Sequence, residues 1–271
     1  MEPILGWLLI QEMPAYLLLG AVAGVAAGML GVGGGLVIVP VLLGLFRAKG
    51  FDEALVAHLA VGTSLATIVA TSISSIIAHQ RRRAIRWPLV GYLLPGMILG
   101  AWLGSAIAGL LPTVALQRIY ACFAILVGVR MLRGAQVEGR WALPGWPGMG
   151  LAGGLIGMVS AIVGIGGGTM TVPFLNGCRV HMRQAVATSS ACGLPIALAG
   201  TLGFVVIGWG VEGLPDGCVG FLYGPALVGI VASSVLFAPV GAWLAHRVPV
   251  AVLKRVFALL LLLLGAKLLI W

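Results

Sequence analysis

The groups in this sequence best able to do chemistry carry no charge. Two glycine runs, Gly31-Val-Gly33-Gly34-Gly35 and Gly164-Ile-Gly166-Gly167-Gly168, are each closed by a proline, Pro40 and Pro173, and each is followed by a Thr-Ser pair, Thr63-Ser64 and Thr188-Ser189. A glycine cluster inside an apolar segment interrupts the helix. The unpaired backbone groups this leaves are tolerated in a membrane only where protein or a wet cavity surrounds them. The helix that resumes beyond the break offers free N–H groups and a positive dipole end, both attractive to anions. Nearby hydroxyls can donate to an oxyanion without placing a permanent charge in hydrocarbon. The expected site therefore binds a small anion through Gly33, Gly34, Gly35, Thr63, Ser64, Gly166, Gly167, Gly168, Thr188 and Ser189.

Simpler uses of the same residues compete with this one. Glycines at four-residue spacing, such as Gly20, Gly24 and Gly28, let helices pack closely, and Ser or Thr often bonds back to its own helix. The further hydroxyls of the first half, Thr67, Thr71, Ser72, Ser74 and Ser75, are read mainly as such packing groups. Neither run has the GK[ST] ending of a phosphate loop or the third glycine of a dinucleotide fingerprint.

All seven carboxylates (Glu2, Glu12, Asp52, Glu53, Glu138, Glu212, Asp216) read as N-terminal or loop residues. That leaves none in a span to relay protons or hold sodium. An enzyme needs acid–base or metal groups facing one another, so neither catalytic nor metal-binding residues nor a cofactor is expected. His58, five residues before Thr63, is the best-placed histidine and reads as interfacial. Cys122, Cys178, Cys192 and Cys218 show no CxxC spacing and read as small buried hydrophobes.

The elements that must position these groups follow from composition. Of 271 residues, 61% are hydrophobic, 8% are charged and 42 are glycine. Soluble domains carry about 25% charged residues, which excludes a water-soluble enzyme. The net charge of +9 sits between apolar spans, where it sets topology, so it does not imply nucleic acid. The N-terminus lacks the basic region of a cleavable leader. Apolar stretches run over Pro14–Phe46, Leu59–Ala78, Pro88–Leu111 and Val114–Leu132, then Met149–Leu175, Ala185–Ile207, Phe221–Ala245 and Val248–Ile270. Most are long enough to cross a ~30 Å hydrocarbon core.

The two sets repeat one another. Besides the glycine runs, Ala60-Val-Gly-Thr63-Ser64 matches Ala185-Val-Ala-Thr188-Ser189, Gly100-Ala-Trp102-Leu matches Gly241-Ala-Trp243-Leu, and the Arg118/Arg130 pair matches Arg255/Lys267. The expected division is a first repeat over 1–133, a polar linker over 134–148 and a second repeat over 149–271. If each half crossed four times, Lys and Arg would divide eight to eight across the membrane. If instead Pro14–Phe46 goes in and returns at its glycines, the second half is inverted. Twelve cations then collect on one side, against Arg47, Lys49, Arg118 and Lys267 on the other. Cytoplasmic loops collect Lys and Arg, so the inverted arrangement is expected, with a cytoplasmic linker and both termini outside the cytoplasm. The fold class is an all-α polytopic membrane protein of two inverted repeats, each a broken or re-entrant glycine-rich segment plus three transmembrane helices.

The glycine run closed by proline, the Thr-Ser helix after it and their duplication resemble the TauE/SafE family of sulfite exporters, from about Gly20 to Gly265. The resemblance implies a permease of a bacterial-type inner membrane that moves small sulfur-containing anions such as sulfite or organosulfonates. Alternating access around a midplane site is the mechanism expected of a broken-helix inverted repeat. An anion channel on the same scaffold is the alternative, and a structural subunit of a larger assembly is a further one. The expected partners are a small anionic substrate and membrane lipid, with no nucleic acid. Arg118 and Arg130 lie about 18 Å apart along a helix, so at least one must snorkel or face a cavity; snorkelling is favoured over cationic vestibules at Arg118 and Arg255.

Overall fold

The computed structural model describes residues 2–30, 34–133, 139, 141–244 and 250–270. Among the described residues ten helices follow one another: α1 Glu2–Leu30, α2 Gly35–Ala48, α3 Val56–Gln80, α4 Trp87–Leu110, α5 Thr113–Leu132, α6 Trp146–Val163, α7 Gly168–Gly177, α8 Met182–Gly208, α9 Gly224–Leu244 and α10 Val250–Ile270. A two-residue antiparallel ribbon, β1 Cys218–Val219 with β2 Leu222–Tyr223, precedes α9. Six helices (α3, α4, α5, α6, α8 and α9) contain apolar stretches long enough to cross a membrane. Large apolar side chains such as Leu99 and Leu103 of α4 and Leu126 of α5 stand exposed on their outer faces. Helices apolar all round belong in lipid, not in water.

Both predicted breaks are present. Gly34 and Gly167 initiate α2 and α7 at φ 74° and 73°, in the left-handed region that glycine enters without steric cost. Pro40 and Pro173 are each the sixth residue of the helix that resumes. Prolines also open two long spans, since α4 begins Trp87-Pro88 and α6 begins Trp146-Pro147, where the missing N–H is no loss.

α1 starts at Glu2, earlier than the predicted Pro14, and carries Pro14 within it. Glu12 is therefore a helical residue, not a flanking one. It is neutralised by an ion pair with Lys49 at the end of α2, which also draws the end of α2 back beside the first half of α1. Gln117 of α5 accepts from Arg47 at 2.7 Å and donates to the Leu268 carbonyl of α10 at 2.8 Å. The first half of α1 and the last turn of α10 thus share one end of the molecule. Arg81, Arg82 and Arg83 occupy the opposite end of α3, whose 25 residues span about 37 Å.

Close helix contacts rest on small residues, as the glycine spacing predicts. On α4, a Cβ at Gly96 or Gly100 would overlap the carbonyl oxygens of Gly150 and Gly154 on α6. On α1, a Cβ at Gly20 or Gly24 would overlap the backbone of Ile230 and Ser234 on α9. α3 and α8 run through the middle of the bundle and are the most enclosed of the candidate spans.

Candidate functional site

The two glycine breaks meet. A Cβ on Gly35, the first residue of α2, would overlap the carbonyl oxygen of Gly164, which ends α6, and stand 3.1 Å from Cα of Ile165. Ser64 of α3 reaches the same carbonyl, its hydroxyl donating to Gly164 O at 2.8 Å. Ser64, Gly35 and Gly164 therefore form one junction between α3, the start of α2 and the end of α6. Gly33 lies outside the described residues.

Beside this junction is a small recess lined by Ala27 of α1, Thr71, Ser72 and Ser75 of α3, Gly166 of the second glycine run, and Ser189, Ser190 and Gly193 of α8. It has room for about one water. No lining residue is charged. Ser75 is buried, and its hydroxyl has no partner among the described residues. Around the first turn of α7, the fully buried hydroxyls of Ser160 and Thr171 are likewise without partners there. Gly167 O accepts from the amides of Met170 and Thr171, while the amides of Gly167, Gly168 and Thr169 have no backbone acceptor among the described residues. Such buried polar groups are normally paired, so the idle Ser75 hydroxyl suits the recess to receive an acceptor, while Thr71, Ser189 and Ser190 already donate to carbonyls of their own helices.

Of the residues expected to bind, Gly166 and Ser189 line this recess, and Gly167 and Gly168 form the turn directly behind it. Thr63 and Thr188 have another task. The Tyr223 amide donates to Thr63 Oγ1 at 3.0 Å, just before α9, and the Arg86 amide donates to Thr188 Oγ1 at 3.1 Å, just before α4. Each threonine thus satisfies an N–H at the start of a helix from elsewhere in the chain, which a helix start requires. Ser72, Ser75, Ser190 and Gly193 line the recess although sequence reasoning did not single them out as binders. Their signal was present but ambiguous, because α3 carries hydroxyls on several faces. Thr67 and Thr71 do donate to their own helix, as expected of packing hydroxyls.

Losing the Thr63 acceptor should destabilise more than losing that of Thr188, because the Tyr223 bond is buried and the Arg86 bond only partly so. Thr63→Val is expected to lose roughly 1–3 kcal/mol and Thr188→Val about 1 kcal/mol. Thermal unfolding of the two purified variants checks this order.

The end of the molecule opposite the Arg81–Arg83 run is closed by a different cluster. Lys49 Nζ donates to Tyr223 Oη at 2.8 Å and lies 4.7 Å over the Tyr223 ring and 5.3 Å over Phe51. Burial alone would lower the Lys49 pKa, but bonds to Glu12 and Tyr223 outweigh it and push it up to about 12. His58 is buried, bonded to Ala108 O at 3.0 Å and stacked near Phe221 at 5.1 Å. It joins the start of α3 to the end of α4. Arg118, Arg130, Arg255 and Lys267 are exposed on α5 and α10, the situation of snorkelling side chains. Cys178 and Cys192 are buried as expected, whereas Cys122 is exposed on the outer face of α5.

A helical bundle with apolar exterior, interrupted central helices and an uncharged polar recess beside the interruption belongs to the class of polytopic membrane transporters, where irregular backbone marks a binding site. Residues 16–268 match the sulfite exporter TauE/SafE family, and the chain belongs to it. It is accordingly a membrane transporter and not an enzyme. The chain is 37% identical over 247 residues to a probable membrane transporter protein of Haemophilus influenzae, covering 91% of this chain and 94% of the relative. It is 23% identical to the probable membrane transporter protein YunE of Bacillus subtilis, covering 92% and 94%. A probable membrane transporter protein of Methanocaldococcus jannaschii is also 23% identical, covering 84% and 82%. No solved structure matches the chain significantly.

Proposed function

We propose that this transporter moves a small sulfur-containing oxyanion, such as sulfite or an organosulfonate, by alternating access between two inverted halves that rock around the recess at Gly166, Ser75 and Ser189. The observation that carries the reading is the recess itself: uncharged, lined by hydroxyls, with the unpartnered Ser75 hydroxyl on its wall and a helix break beside it. Exposed arginines Arg81, Arg82, Arg83 and Arg86 at the same end of α3 would raise the local anion concentration at the approach. A sulfur oxyanion is larger than a water, so loading requires α3 and α8 to part from this conformation.

Reciprocal contacts support the two-half arrangement. Gly20 packs on Ile230 as Gly153 packs on Leu93, and Gly24 packs on Ser234 as Gly157 packs on Met97. Thr63 serves Tyr223 as Thr188 serves Arg86. Within these sets the partners are related by constant offsets: 133 positions for α1 and α6, 125 for α3 and α8, and 137 for α4 and α9. Each half thus uses the other as it is itself used, which is the behaviour of a pseudo-two-fold pair. The same offset pairs Gly241 with Gly104, which pack on Val25 and Met158, one turn beyond the Gly100 suggested by the Gly-Ala-Trp-Leu match. With the arginine-rich end in the cytoplasm, both chain termini lie outside it.

Thermal stabilisation of the purified chain by sulfite, sulfoacetate, nitrate and simple carboxylates tests the proposal, because a ligand specific to the folded state raises its apparent stability. Sulfur oxyanions are expected to stabilise. If carboxylates alone do so, the proposed cargo is wrong. Counterflow in liposomes separates a carrier from a channel: far-side substrate should accelerate uptake, and its failure to do so would favour the channel.

A further inference from the structure

The two ends of the molecule are closed differently. At the end away from the arginine run, α3 starts enclosed: Val56, Ala57 and Leu59 are at most 1% exposed, and His58 is buried. The matching positions at the start of α8, His181, Met182, Arg183 and Gln184, are exposed or half-exposed. What encloses the start of α3 is the ribbon before α9. Its Phe221, Leu222 and Tyr223 are buried between the two central helices. The Phe221 amide donates to Phe204 O of α8 at 3.2 Å, and the Tyr223 amide to Thr63 Oγ1 of α3 at 3.0 Å. A Cβ on Gly62 of α3 or Gly208 of α8 would overlap the Phe221 backbone. The ribbon is a wedge.

Lys49 holds this wedge in place. It follows the last residue of α2, donates to Tyr223 Oη at 2.8 Å and pairs with Glu12 of α1. Its ammonium lies 4.7 Å over the Tyr223 ring, 5.3 Å over Phe51 and 5.8 Å over Tyr16. Phe46 and Phe51 pack against Tyr223 in turn, their ring centroids 5.5 and 5.3 Å from its own. Arg47, two residues earlier, pairs with Glu53 at 3.0 Å, but that carboxylate is 66% exposed against 27% for Glu12. The Arg47 pair lies in water, where such contacts are weak. Lys49 is instead a cation among aromatic rings, where its attraction to an anion is screened less. It also stands on the line of the pathway. α2 begins at Gly35, in the junction with Ser64 and Gly164, and its 14 residues lead about 21 Å to Lys49.

Resting on the transport reading above, we infer that Lys49 is a second anion-binding station, at the outer end of the pathway, which Glu12 occupies as a built-in stand-in until the transported oxyanion displaces it. Drawing Glu12 away with nothing in its place would leave an enclosed ammonium unpaired, which is costly. An oxyanion removes that cost, because one of its oxygens takes the place of the Glu12 carboxylate on Nζ. Tyr223 Oη accepts from Lys49 and keeps its own proton to donate to the same anion. Glu12 is partly exposed and has water to turn into. When the anion moves on, Glu12 returns to Lys49 and the ribbon is held again between α3 and α8. Arrival of the anion at Lys49 and release of the wedge are therefore one event.

The test sets Lys49→Gln beside Glu12→Gln in the full chain, because the two break the same ion pair but act oppositely on a station. In right-side-out membrane vesicles, the external sulfite concentration that half-saturates exchange with internal sulfite is measured. Lys49→Gln should raise it about tenfold, the worth of one hydrogen bond to a charged group. Glu12→Gln should lower it, because the competing carboxylate is gone. Lys49→Arg keeps the cation and should stay within about twofold of the wild type. Closure is read separately, without substrate, by labelling Ala57→Cys with an impermeant maleimide from outside, in a chain whose native cysteines are serine. Both Gln variants should label faster than their parent. Shifts of half-saturation in the same direction, or none, would reduce Lys49 to a structural latch and overturn the inference. Unchanged labelling in both variants, or Lys49→Arg behaving as Lys49→Gln, would overturn it too. Should Lys49→Gln fail to fold, Glu12→Gln decides alone, since a raised or unchanged half-saturation there refutes a competing carboxylate. If the wild-type chain exchanges neither sulfite nor methanesulfonate, the transport reading itself fails, and this inference with it.

Discussion

Gly34→Ala is expected to be markedly more damaging than Gly167→Ala, costing roughly 2–5 kcal/mol. Two effects add. Gly34 has φ 74°, where an L-residue brings its Cβ against its own carbonyl, and the new Cβ would stand 2.8 Å from the Ala23 carbonyl oxygen of α1. That oxygen belongs to helical backbone packed along α9, so it cannot retreat without disturbing the α1–α9 seam. Gly167→Ala provides the comparison. Its φ is 73°, but the atom nearest its new Cβ, at 2.5 Å, is Cδ1 of Ile196, the far end of a flexible side chain. Gly167→Ala should therefore cost less, close to the roughly 1–2 kcal/mol of the backbone conformation alone. Removing that atom by Ile196→Val should leave this remainder unchanged. Urea or thermal unfolding in detergent reads the order; equal losses at the two glycines would show that the contact with Ala23 does not govern.

Gly193→Ala is expected to cut transport at least about tenfold while leaving the protein folded. Its Cβ would stand 2.9 Å from the Gly166 carbonyl oxygen and 3.2 Å from Ser72 Oγ, inside a space that holds about one water. In the middle of α8, alanine gains about 1 kcal/mol of helix propensity over glycine, which offsets part of the tight approach. Liposome uptake of labelled sulfite, set beside unfolding of the same preparation, separates blockage from collapse. Ser75→Ala removes one donor without filling the space and should weaken binding by a few-fold, the net worth of one hydrogen bond of roughly 0.5–1.5 kcal/mol. Full transport by Gly193→Ala would remove the recess from the pathway.

The parts of the fold legible in the sequence are those fixed by local chemistry. Apolar length gave the spans. Glycine runs gave the breaks at Gly34 and Gly167, because no other residue takes a left-handed φ without steric cost. Four-residue glycine spacing on α1 foretold the contact with α9. The start of α1 was missed because Glu12 reads as a flanking charge until Lys49, 37 positions later, pairs with it.

The site was legible only in outline, and the reason is visible in the repeat. Residues that match across the halves, such as Thr63 and Thr188, hold helix starts in both copies. Those lining the recess include positions where the copies differ: Gly193 against Ile68, Thr71 against Ile196 and Ser190 against Leu65. Recurrence therefore pointed to the frame and to Gly166 and Ser189, whereas Thr71, Ser190 and Gly193 lie where the copies diverge.

By itself the sequence determined a helical membrane protein interrupted at two recurring glycine runs, with no charge built into its central spans. Those properties follow from residue type and spacing along one segment at a time. Only the tertiary structure decided which face of α3 meets the break at Gly166 and which meets Leu222 and Tyr223. That choice depends on how α8 and α9 pack from the other half, and a helix bearing hydroxyls on several faces does not specify in advance which one it will turn inward.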